Sequence, residues 1–97
     1  MVRYAHPIGK LWISKERYAD MRAALEDGHT LPERHDEWQR RFEAMEQALV
    51  AQGNVVERVE LNHDAFFADC RRRKTRADYD AADREANIIA HKKHRNR

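Results

Sequence analysis

Val55-Val56-Glu57-Arg58-Val59-Glu60-Leu61 is the stretch on which the fold class turns. Extended, it places Val55, Val59 and Leu61 on one face with Glu57 between them, and Val56, Arg58 and Glu60 on the other. That is a strand with one wet face. The rest of the chain is dominated by helical periodicity, so this strand sets the expected class: small α+β, helix-dominated, with about four helices and a minimal two- or three-stranded sheet.

Upstream of the strand, Gly53-Asn54 ends a helix expected over residues 31–52. Its stripe is Trp38, Phe42, Met45 and Leu49, the strongest helical periodicity in the chain. Thr30-Leu31-Pro32-Glu33 fits a capping box at its start, with proline tolerated in the first turn. An earlier helix is expected over residues 15–27, with Ser14 as N-cap, Ile13 and Tyr18 as a hydrophobic staple, and Gly28 as the stop. Tyr18, Met21 and Leu25 share its inner face. Before it, Lys10–Ile13 reads as a strand, with a hairpin looping at His6–Gly9 as an alternative.

Downstream of the strand, Asn62 or Asp64 can cap a short third helix with Phe66, Phe67 and Cys70 on its apolar side. Thr75 can cap a fourth, with Asp78 at N3 and Tyr79, Ala82, Ala86 and Ile89 as the inner stripe. The order is strand, helix, helix, strand, helix, helix, with no sequence repeat behind it. If the strands pair in parallel, the first two helices form the crossover.

At 97 residues the chain is expected to be one domain over residues 1–90, followed by a flexible basic tail over residues 91–97. Mean hydropathy is low, at −1.01. Twenty-five large apolar side chains still suffice for one modest core, which a second protomer or a partner could complete. A single cysteine, Cys70, excludes an intramolecular disulfide framework and suits a reducing compartment. With no signal-like h-region and no long apolar run, a cytoplasmic location is expected.

The net charge of +2 is unevenly spread. Residues 1–70 carry nine Lys/Arg against thirteen Asp/Glu; residues 71–97 carry ten against four. Two blocks concentrate the cations: Arg71, Arg72, Arg73, Lys74 and Arg76 between the last two helices, and Lys92, Lys93, Arg95 and Arg97 at the end. Both are candidate phosphate contacts, because clustered cations release counterions from nucleic acid. A competing account needs no ligand: cations at a helix C-terminus gain about 0.3–1 kcal/mol each from the helix dipole. Asp78, Asp80 and Asp83, where a recognition helix would face DNA, would repel phosphate, and no aromatic side chain interleaves with either block for base stacking.

Catalytic and metal chemistry are not expected. His91 and His94 lie at i, i+3, but two imidazoles do not close a metal site, and no HExxH or paired CxxC occurs. Ser14 is the sole serine, and Cys70 sits on an apolar helix side. His63-Asp64 is only a dipeptide, and the three glycines are too scattered for a phosphate loop. No cofactor or small-molecule substrate is indicated. The remaining class is protein binding. Ile88 is offset by about 100° from Ile89 on a helix, and Trp12 points opposite to Leu11 and Ile13 on a strand, so Ile88 and Trp12 are the candidate protein interface. The expected function is a non-enzymatic binding module acting through protein contacts, with a partner or with its own copies; the alternative is nucleic-acid association through the basic blocks.

Overall fold

The computed structural model describes residues 7–95. Two strands, β1 (Ile8–Leu11) and β2 (Val56–Val59), alternate with four helices: α1 (Lys15–Ala24), α2 (His35–Ala51), α3 (His63–Arg73) and α4 (Tyr79–Arg95). A 3₁₀ turn, Gly28–Thr30, joins α1 to α2. The strands pair in parallel, in a register running from Ile8 opposite Val56 to Leu11 opposite Val59. The helix-dominated α+β class and the element order are those expected from the sequence, with α1 and α2 as the crossover. The alternative hairpin loop at His6–Gly9 is not formed, because Ile8 and Gly9 belong to β1; the arm expected before it lies outside the described residues.

A two-stranded sheet is weak alone. Here α4 supplies what a third strand would. Alternate amides of β1 turn towards β2: Ile8 donates to the Val55 carbonyl at 2.8 Å and Trp12 to that of Val59 at 2.9 Å. The amides between them turn the other way, to side chains of α4. Gly9 donates to Asn87 Oδ1 at 2.9 Å and Leu11 to Asp83 Oδ1 at 2.8 Å. Asp83 Oδ2 also binds Lys10 Nζ at 2.6 Å. Asp83 and Asn87 are one helical turn apart, so a single face of α4 satisfies the outer edge of β1 and closes it to other strands.

Close approach is built into the two backbones. Ala82, Ala86 and Ala90 form the fully buried stripe of α4, and Gly9 lies directly against it. This stripe corrects the expected one, which ran through Ile89. A large side chain has no room where Gly9 meets the helix, so the stripe continues with the alanine one residue on, and Ile89 turns outwards.

Other boundaries shift for local reasons. β1 starts at Ile8 rather than Lys10. Ser14 makes no side-chain cap; its carbonyl accepts from the Arg17 amide instead. α1 ends at Ala24, ahead of Gly28, because Leu25 is already extended at ψ 139°. Thr30 does not open α2: its hydroxyl donates to the Asp27 carbonyl within the 3₁₀ turn at 2.7 Å. Pro32 forces the preceding Leu31 to be extended, at ψ 152°, and α2 begins only at His35. Asn62, not Asp64, caps α3, accepting from the Ala65 amide at 3.0 Å. Thr75 is consumed in closing α3: Lys74 is left-handed at φ 58° and the Thr75 amide donates to the Cys70 carbonyl. Asp78 therefore caps α4, with Oδ1 accepting from Ala81 at 2.9 Å. The helix continues to Arg95, so residues 91–95 of the expected tail are helical; Asn96 and Arg97 lie outside the described residues.

The core runs from Leu11, Ile13 and Met21 through Trp38 and Phe42 to Leu61 and Phe66. The segment after α1 clamps the start of α4: Glu26 accepts from the Ala77 amide at 2.8 Å, and Asp27 from that of Tyr79 at 2.9 Å. The Tyr79 hydroxyl accepts from Trp38 Nε1 at 3.3 Å, and burial pushes its phenol up to about 12. An unfolded tyrosine ionises near pH 10. Between those values the unfolded chain releases a proton that the folded chain retains, so stability falls as pH rises through that window. We expect alkaline titration of the folding free energy to show a loss of about 2 kcal/mol from this group, and Tyr79→Phe to remove that share of the slope.

Candidate interaction face

The basic cluster and the outer side of α4 meet in one cleft. α3 packs on the core through Phe66 and Cys70 and leaves a valley along α4. One cavity of the valley, about 510 Å³, is bordered by Phe66, Arg72, Arg73, Glu85 and Ile89; the adjoining one, about 620 Å³, by Phe66, Lys74, Arg76, Asp80, Glu85 and Ile88. Ile88 is 46% exposed and Ile89 37%, an apolar pair on a helix whose opposite side is sealed.

The cations of this face are largely engaged within the chain. Asp69 binds Arg72 and also Arg73, the latter at 3.2 Å. Arg76 spans Glu26 at 3.2 Å and Asp78 at 3.8 Å, and Lys93 reaches Glu57 at 3.4 Å. Arg71, Lys74 and Lys92 are exposed and have no ion-pair partner among the described residues. Across the two cavities, Arg72, Arg73, Lys74, Arg76 and Arg84 face Asp69, Asp78, Asp80 and Glu85. The surface is thus close to electrically balanced, unlike the one-signed groove that tracks a phosphate backbone. Arg95 belongs to the last turn of α4, and Arg97 lies outside the described residues.

Trp12 is held elsewhere. It is half-buried on the α2 side of the sheet, with ring centroids 5.2 Å from Trp38 and 5.1 Å from Phe42. The Arg58 guanidinium lies 4.4 Å above its ring and is fixed from the far side by Glu46 at 2.8 Å. That partner favours both charged forms, holding the Glu46 carboxyl below the usual range. His35 Nε2 donates to the Ile13 carbonyl at 2.7 Å and completes the cluster. The two side chains assigned to an interface are therefore not brought together: Trp12 stiffens the sheet–α2 contact, and Ile88 shares its cleft with the cations. Ile89 is the member that sequence reasoning missed. The signal lay in Ala90, which sits four residues after Ala86 and continues an all-alanine stripe.

Other chemically capable groups are dispersed. Cys70 is buried, at 6% exposure. His63 Nε2 is buried with no hydrogen-bond partner among the described residues, and burial, with Arg17 nearby, holds its pKa below the ordinary value. No group of three or more His, Cys, Asp or Glu gathers among the described residues as a metal ion would require. No described helix is long and apolar enough to cross a membrane.

Comparison with protein-family models, with curated proteins and with solved structures found no match to this chain.

Proposed function

We propose that the chain is a non-enzymatic cytoplasmic binding module that acts through protein contacts, and that the α3–α4 face is its contact surface. The observation that carries this reading is the pairing of two exposed isoleucines with a charge-balanced rim. Apolar centres ringed by polar groups of both signs suit a protein partner. A phosphate-binding surface gains from unopposed cations, and Asp69, Asp78, Asp80 and Glu85 oppose them here. The surviving case for nucleic acid is the trio Arg71, Lys74 and Lys92.

The test is capture from a native cell extract by the immobilised full chain, compared with Ile88→Asp. Ile88 is outside the core, so the variant should keep its fold, checked by circular dichroism. We expect a discrete protein on the wild type that is at least about tenfold depleted on the variant, as for loss of a central apolar contact. Identical capture by both chains contradicts the assignment of the face.

A further inference from the structure

We propose that the partner of this face is a second copy of the chain, paired through α4 with the two helices antiparallel about a two-fold axis between Ile88 and Ile89. The inference rests on the protein-contact reading and names its partner. Glu85, Ile88 and Lys92 recur along the outer side of α4 at steps of three and four residues, the spacing of a helix–helix seam. Ile89 flanks that seam, and the cleft beside it provides room for a neighbouring helix.

Charge selects both the partner and the direction. Asp78, Asp80, Asp83 and Glu85 precede the isoleucines, with Arg84 among them paired to Asp80 at 3.4 Å; His91, Lys92, Lys93 and Arg95 follow them. Asp83 and Lys93 are occupied within the chain by Lys10 and Glu57. Glu85 and Lys92 have no ion-pair partner among the described residues. Glu85 stands three positions before Ile88, and Lys92 three after Ile89. The proposed axis therefore sets Glu85 of each copy opposite Lys92 of the other, twice, with the isoleucines meeting at the centre. A parallel pair would set like on like. The antiparallel pair also opposes the two helix dipoles, each end meeting its complement. The face is complementary to its own reverse, and a C₂ interface requires that property.

Sedimentation equilibrium of the full chain across about a hundredfold range of concentration tests the pairing, since a dimer is populated by mass action. We expect a monomer–dimer equilibrium. Glu85→Lys and Lys92→Glu should each weaken it by about tenfold, because two ion pairs become two repulsions, and the double swap should restore it. Ile88→Asp should abolish it. A wild type that stays monomeric throughout overturns the proposal, as do single swaps without effect or a double swap no better than the singles. If that monomer still captures a protein that Ile88→Asp does not, self-pairing falls and the protein-contact reading stands.

Discussion

Gly9→Ala should cost about 3 kcal/mol of folding stability. The residue lies in β1, where the strand backbone touches α4. A β-carbon added there would stand 2.5 Å from the Ala86 carbonyl oxygen, 2.7 Å from Ala90 Cβ and 2.8 Å from Asn87 Cα. Each obstacle is main chain or the first atom of a side chain, so no rotamer change relieves the overlap. β1 and α4 must part instead, and parting them also lengthens the bond from the Gly9 amide to Asn87. Small domains have only about 5–15 kcal/mol in total. The loss should lower the melting temperature by roughly 12–24 °C, at about 4–8 °C per kcal/mol for a domain of this size. Thermal unfolding followed by circular dichroism measures it. A cost below about 0.5 kcal/mol, within the range of a tolerated surface change, would mean that α4 does not seal the edge of β1.

Gly28→Ala should be at least as damaging, for a different reason. The new β-carbon would lie 1.7 Å from the Arg22 carbonyl oxygen and 2.7 Å from its carbon. The chain after α1 folds back on the last turn of the helix, and only a hydrogen fits between them. Relieving the overlap displaces Glu26 and Asp27, whose carboxylates hold the amides of Ala77 and Tyr79 at the start of α4. We expect a loss of about 3 kcal/mol or more, the upper end for overpacking. Gly53→Ala supplies the contrast. Nothing lies within 4 Å of its added β-carbon, and only the left-handed backbone at φ 92° opposes the change. It should cost about 1 kcal/mol. Urea unfolding of the three variants ranks them. A Gly28 variant no worse than the Gly53 one contradicts the fold-back geometry.

These two glycines show where sequence reading reached and where it stopped. The periodic elements were legible because burial repeats at fixed intervals: Trp38 and Phe42 identify α2, and Val59 with Leu61 identifies β2. Gly28 was legible as punctuation, but its physical role was not, since that depends on a carbonyl six residues earlier in the chain. Gly9 looked like a turn residue and is instead a strand residue pressed on a helix 78 positions away. The same contact explains the misplaced stripe of α4. Propensity cannot separate Ile89 from Ala90 as the inward residue, but the absence of space above Gly9 does. Caps failed where a neighbour claimed the group first: Thr75 closes α3, and Pro32 holds Leu31 extended.

The candidate site was legible in part for the same reason. Charge asymmetry drew attention to Arg71–Arg76, and the offset of Ile88 from Ile89 marked an outward apolar side chain. That the two share a cleft follows from the turn between α3 and α4, which the left-handed Lys74 sets. Most of these cations are already paired: Asp69 lies at helical spacing from Arg72 and Arg73 and Asp78 stands two residues from Arg76, which the sequence shows, whereas Glu26 reaches Arg76 from fifty residues away, which it does not.

The measurement that most directly decides what this face binds is fluorescence anisotropy of labelled duplex and single-stranded oligonucleotides at low and physiological salt. The full chain is compared with a variant in which Arg71, Arg72, Arg73 and Lys74 are changed to alanine. A balanced, protein-binding face gives no binding tighter than about 10⁻⁶ M near physiological salt, the tight end of ordinary non-specific affinity, and little difference between the two chains. Tighter binding that falls steeply with salt and disappears in the variant would contradict the account and make the cluster a phosphate grip.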